Sequence, residues 1–96
     1  MELFIFARFH ARSSQEAAVE EALLAVLAPT REEPGCLGID AFRSTRDSRL
    51  FYIHSRWEDE AAFERHADLP HTVRFIERVG PLIDHPLEVM RTERIG

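Results

Sequence analysis

Five histidines, one tryptophan, one tyrosine, one cysteine and no lysine bound what this chain can do with protons and nucleophiles. Imidazole is the side chain whose unperturbed pKa, near ~6.5, suits a base at neutral pH. His66 and His71 fall in one stretch, Trp57 to Phe75, together with the only Trp. That stretch reads as a strand end bearing Trp57, a short helix carrying His66, a break at Pro70 and a second helix opening with His71. A strand-to-helix corner of this kind can wall a pocket, which makes His66 and His71 the first candidates for proton transfer. Their plain alternative is local: His66 capping its helix and His71 packing in a first turn. His54 shares a strand face with Tyr52 and Arg56, and that face either lines a pocket or meets another subunit.

The other chemistries are weaker. His66 and His71 are five apart with Pro70 between, whereas two metal ligands on one helical face need a spacing of three or four. No His-Glu-x-x-His occurs, so no metal is expected. The absence of Lys excludes a Schiff base and lysine-anchored pyridoxal phosphate. A single cysteine, Cys36, permits no intrachain disulfide and no thiolate cluster, and a small buried thiol is its ordinary reading. No Gly-x-Gly-x-x-Gly, phosphate loop or nucleophile elbow is present. No cofactor is therefore expected.

Composition sets the wider limits. A chain of 96 residues makes one domain, spanning 1–96. A hydrophobic fraction of 45% makes it globular rather than disordered. A formal charge of −5, with twelve scattered Arg, argues against a nucleic-acid surface. The apolar N-terminal run is too short for a signal segment, and no run approaches a membrane span. A cytoplasmic protein without nucleic-acid or membrane partners is the expectation.

The elements that must position the histidines follow from periodicity. Leu3 to His10 is apolar on both faces up to Ala7, as in a strand covered on both sides. Ser13 and Glu16 have the form of a capping box. Val19, Ala22, Leu23, Val26 and Leu27 then recur at helical spacing, and Pro29 should break or kink that helix. Pro34-Gly35 turns into a strand from Cys36 to Arg43, with Leu37, Ile39 and Ala41 on one face. Leu50 to Trp57 alternates as the strongest strand. A helix from Glu58 or Asp59 reaches about Ala67. The next opens at Asp68-Leu69-Pro70, with Val73, Ile76, Val79 and Leu82 as its apolar side. Leu87 to Thr92 closes the chain as a strand. The order β-α-β-β-α-β is the ferredoxin-like α+β plan, a four-stranded antiparallel sheet with helices on one face. Since the first strand is apolar on both faces, the open face should meet a second copy, giving a homodimer about a two-fold axis.

Five pieces of the chain also resemble a known family. Glu33-Pro34-Gly35-Cys36-Leu37, Trp57-Glu58, His66, Pro70-His71 and Gly80-Pro81-Leu82, in this order between about Leu3 and Arg91, look like the antibiotic biosynthesis monooxygenase family. That resemblance implies a dimeric α-β barrel with a small pocket between sheet and helices in each subunit. It also implies oxidation of a quinol-like or polycyclic phenolic molecule by dioxygen without metal or flavin. His66, His71 or His54 would take the phenolic proton. Trp57 and Arg8 would orient the ring, and Tyr52, Phe4, Phe6 and Phe75 would line the pocket or belong to the core. The haem-degrading branch fits poorly: Ala7 stands where an Asn is expected, Phe75 or Ile76 where an axial His is expected, and His66 where that branch carries Trp. The pattern is similar to the quinol-oxidising and autoinducer-2-processing branches. Two other readings therefore stand beside oxidation: a non-redox isomerase of a small hydroxy-ketone, and a non-catalytic dimeric binding protein.

Overall fold

Alternation in the first strand decides the architecture. In β1 (Leu3–His10) the odd residues Leu3, Ile5, Ala7 and Phe9 are buried, whereas Phe6 is 48% exposed. The computed structural model describes residues 1–96. It continues with α1 (Glu16–Arg31), β2 (Cys36–Arg43), β3 (Leu50–Trp57), α2 (Glu60–Ala67), α3 (Pro70–Val79), a 3-10 turn (Gly80–Leu82) and β4 (Glu88–Thr92). The four strands form one antiparallel sheet in the order β2-β3-β1-β4, the ferredoxin-like α+β plan. The helices lie on one face. The main core joins Phe9, Phe51, Ile53 and Ile39 of the sheet to Val19, Leu23, Val26 and Leu27 of α1 and Val79 of α3. A smaller cluster gathers Leu3, Ile5 and Trp57 under Ala62 of α2. No helix is long and apolar enough to cross a membrane.

Four local expectations are corrected. Ser13 does not cap α1. Ser14 takes a left-handed φ of 69°, the Gln15 N–H donates to Arg12 O, and the helix starts at Glu16 with no side-chain cap. Pro29 does not end α1, which runs on to Arg31. Pro29 sits in the last turn, where a missing donor costs one bond at most, and the Thr30 hydroxyl donates to Val26 O at 2.7 Å. Leu37 is exposed rather than buried with Ile39, because an irregularity between Cys36 and Gly38 shifts the register. The buried side of α3 carries Thr72 and Val79, with Phe75 packed on the core, while Val73 is exposed.

The turn into β2 needs its glycine. Gly35 has φ +88°, and a Cβ there would lie 2.6 Å from Ala62 Cβ of α2. Its carbonyl accepts from the Glu58 N–H at 2.9 Å, binding the turn to the start of the α2 region. Gly35→Ala combines a left-handed φ, costing about 1–2 kcal/mol, with overpacking of about 1–3 kcal/mol. We expect it to lower unfolding free energy by about 3 kcal/mol in urea denaturation. A loss below about 1 kcal/mol would show that α2 yields freely.

The segment between α3 and β4 is strapped onto the end of β1. Arg12 N donates to Leu82 O, Asp84 N to His10 O, and His10 N to His85 Nε2 at 2.8 Å. His10 Nδ1 lies 2.7 Å from Asp84 Oδ2. This hydrogen bond holds the Asp84 carboxyl below the ordinary carboxylate value against the opposing effect of desolvation, with help from the nearby His10, His85 and Arg49 charges. A depressed folded pKa means stability that is present above the unfolded value, roughly 3.9, and lost as pH falls through the folded one. Wild type should therefore be more stable than Asp84→Asn at pH 6, and the gap should shrink as the pH is lowered below about 4. A gap independent of pH would contradict this role.

Candidate active site

Between the sheet and the helices lies a cavity of about 370 Å³, near the low end of the roughly 300–1,000 Å³ usual for small-molecule sites. Twelve of its seventeen lining residues are hydrophobic. The sheet contributes Ile5, Ala7, Phe9, Ile39, Ile53 and Val89, and the helices contribute Val26, Phe63, Phe75 and Ile76. Polar groups enter at few points: His66 and Thr72 on the helical side, Ser55 on β3, Thr30 on α1 and Arg91 on β4. The Thr30 hydroxyl is already spent on Val26 O. Arg91 pairs with Glu60 and Glu64 of α2 at 3.3 and 3.4 Å and lies over the Phe63 ring.

His66 is the one imidazole in this lining, and four neighbours fix it. Its ring packs against Trp57 with centroids 4.7 Å apart and against Phe63 at 5.7 Å. Its Nδ1 lies 2.7 Å from Glu33 Oε2 and 3.2 Å from Thr72 Oγ1. Glu33 is buried, its side chain only 6% exposed, and a buried carboxylate is tolerated when donors satisfy it. The same Oε2 also receives His71 Nε2 at 2.6 Å. An ionised carboxylate only accepts, so both imidazoles donate N–H to it. With the proton on Nδ1, the lone pair of His66 sits on Nε2, which has no hydrogen-bond partner in the protein. A carboxylate-oriented imidazole beside an apolar cavity is the arrangement of a general base.

The local fold explains why these three meet. Glu33 precedes the Pro34-Gly35 turn, and its N–H donates to Thr30 O at the end of α1. Asp59 caps α2 by accepting from the Ala62 N–H, which sets the rotation that points His66 inward. Leu69 and Pro70 then stop one helix and start the next. His66 and His71 thus lie on separate helices, and the spacing rule for a single helical face does not apply to them.

The other expected site residues fall elsewhere. Phe75 lines the cavity and meets Phe9 edge-on at 5.8 Å. His71 does not line it; it touches a second cavity, between α1 and α3, beside Arg74 and Arg78. Trp57 is fully buried and stands behind His66, its indole N–H donating to Ser55 Oγ at 3.0 Å. It packs against the His66 ring and does not line this cavity. His54, Tyr52, Arg8, Phe4 and Phe6 occupy the opposite face of the sheet, as the pairing of Phe6 with His54 and Arg8 with Tyr52 requires. Phe6 and His54 rings are 4.7 Å apart there, and Arg8 reaches Glu88 at 3.9 Å. Alternation along one strand cannot put Trp57 and His54 on the same side. Burial, the largest influence, pushes the Cys36 thiol up from its ordinary value, which disfavours it as a nucleophile.

Sequence reasoning missed Glu33, Thr72, Ser55 and Arg91 as site residues. Glu33 had one usable signal, its place in Glu33-Pro34-Gly35: an acidic residue ahead of a tight turn is where a carboxylate can be turned inward. Nothing in the spacing of Thr72, Ser55 or Arg91 marked them.

Known proteins share this sequence pattern and this fold. The sequence pattern described as antibiotic biosynthesis monooxygenase matches residues 3–78. A protein of Mycobacterium tuberculosis named "Putative monooxygenase Rv0793" is 31% identical over 85 residues, covering 88% of this chain and 83% of that one. Its solved structure superposes with a TM-score of 0.93 at 26% identity, covering 100% of this chain and 97% of the other. The structure of PA3566 from Pseudomonas aeruginosa gives a TM-score of 0.91 at 34% identity, over 99% and 95% of the two chains.

Proposed function

The chain belongs to the antibiotic biosynthesis monooxygenase family, and from that premise we propose that it is a cofactor-independent monooxygenase acting on a quinol-like or polycyclic phenolic molecule. The observation that carries this reading is the Glu33–His66 pair, which presents an unpartnered Nε2 beside an apolar cavity. His66 is the base. Glu33 and His71 are positioning residues, Glu33 by holding the tautomer and His71 by sharing the carboxylate. The apolar lining favours a flat aromatic substrate over the small polar hydroxy-ketone of the alternative reading, whose hydroxyls would lack partners there.

The chemistry balances without a cofactor. Nε2 takes the phenolic proton, and the resulting anion gives one electron to dioxygen, which an apolar cavity admits while limiting water. The radical pair joins at carbon to form a peroxide, which takes the proton back from His66. Nε2 then removes the C–H proton as the O–O bond breaks. The ring C–H carbon becomes a carbonyl, one oxygen atom stays in the product, and the other leaves with the returned proton as hydroxide, which takes the C–H proton from Nε2 to become water and restores the base. The Ser55 and Thr72 hydroxyls, both on the cavity wall, would donate to the ring oxygen.

Two copies complete the molecule in this reading, with the open sheet faces packed together. The test of function is oxygen uptake by the folded protein with a panel of hydroquinones and naphthols, in air and under nitrogen. Uptake above the uncatalysed rate, with no product under nitrogen, is expected. Product formation that ignores oxygen would favour the isomerase, and saturable binding without turnover would favour a binding protein.

A further inference from the structure

We propose that Glu33, His66 and His71 form a binding site for a borderline-soft divalent cation, Zn²⁺ or its spectroscopic stand-in Co²⁺, and that its occupancy silences the base. A carboxylate oxygen of Glu33 and one ring nitrogen from each histidine all lie within 4.8 Å of one another. Two imidazoles and one carboxylate are a donor set that zinc takes in three-ligand sites, with a further position left for water. The three come from three separate elements, the α1–β2 turn, α2 and α3, so the fold already bears the cost of bringing them together. Second contacts are in place as well: the Thr72 hydroxyl stands beside His66, and Trp57 and Phe63 hold that ring's plane.

The geometry needs a small adjustment. Metal–ligand bonds of ~2.0–2.1 Å put tetrahedral donors about 3.4 Å apart. The two nitrogens now sit 2.7 and 2.6 Å from Glu33 Oε2, so those edges must open by several tenths of an ångström. A rotation of the Glu33 carboxylate opens those edges, the two imidazole rings turn toward each other to close the nitrogen–nitrogen edge, now within 4.8 Å, and the cation replaces the two N–H protons as the bridge. Entry is from the His71 side, where the side chain is 19% exposed and borders the cavity between α1 and α3.

Occupancy has a consequence for the cavity, and this part alone rests on the proposed function. A cation on His66 Nδ1 displaces the ring's single N–H proton from that nitrogen, and Nε2 carries it instead. The nitrogen that faces substrate then donates a hydrogen bond and no longer removes a proton.

The experiment is Co²⁺ titration of the untagged, EDTA-stripped chain, followed by visible absorption, with Zn²⁺ displacement. We expect one equivalent per chain with the intense bands of four-coordinate cobalt, and displacement by zinc. His71→Ala, at a partly exposed position, should weaken binding by about 100-fold or more, and Glu33→Gln should do so where circular dichroism shows it folded. In wild type, ¹⁵N spectra should show zinc shifting the ring nitrogens of His66 and His71 and leaving His10, His54 and His85 unmoved. No saturable binding, binding unchanged in His71→Ala, or shifts centred on His10 and His85 would overturn the site. These readouts need no turnover, so failure of the site and failure of the proposed reaction are told apart. If the chain turns over a phenol, zinc should inhibit in proportion to occupancy and EDTA should restore the rate. Inhibition that persists in His71→Ala would overturn the silencing.

Discussion

Replacing His66 with Gln is expected to lower kcat by about 10²–10⁴-fold, the usual worth of a general base, with KM changed little. Gln fills nearly the same space, and its amide can still donate to Glu33, so the buried carboxylate keeps a partner and the fold should survive. What it lacks is a nitrogen lone pair facing the cavity. Glu33→Gln should cost less, because the imidazole remains and only its orientation and tautomer are released. His71→Ala should cost less again, since His71 reaches the cavity only through Glu33. His54→Gln is the control: it lies on the other face of the sheet and should leave kcat unchanged in the intact assembly. Steady-state oxygen uptake measures all four. A His54 variant as damaged as the His66 variant would move the chemistry to the wrong side of the sheet.

The second large effect concerns assembly. Phe6, Phe42, Tyr52 and Met90 are 48%, 53%, 37% and 58% exposed, and the strand register puts them together on the face the helices leave open. A contiguous apolar face of this kind marks an interaction surface. Wild type should therefore sediment at twice the 11.1 kDa chain mass at micromolar concentration. Phe6→Glu removes an aromatic side chain from each copy, at about 1.5–3 kcal/mol per side chain. The dimer should weaken by about 10²–10⁴-fold, and analytical ultracentrifugation should then show monomer. A wild-type monomer at micromolar concentration would contradict the assembly.

The fold was largely legible because it rests on periodicities that hydrophobic patterning states openly. The two-sided apolar run of β1, the strict alternation of β3 and the helical recurrence from Val19 to Leu27 each placed an element close to where it lies. The misreadings were local. Ser14 adopted a backbone state that sequence does not announce, and Pro29 fell in the last turn, where its missing donor forfeits a single bond and two further residues complete the helix. The site was legible only in part. His66 and Phe75 line the cavity, but alternation along β1 and β3 sends Phe4, Phe6, Arg8, Tyr52 and His54 to the far side. Glu33 was the hardest to see, since it is 33 residues from His66 and 38 from His71 in sequence. Only the folded α1–β2 turn brings its carboxylate between them.

Central to the account is a base in this cavity that delivers a phenol to dioxygen. Mass spectrometry of product formed under ¹⁸O₂, by wild type and by the His66→Gln variant, tests that most directly. One ¹⁸O atom per product molecule from wild type, formed faster by about 10²-fold or more than from the variant, is the predicted result. Product without label, or labelled equally fast by both proteins, would contradict it.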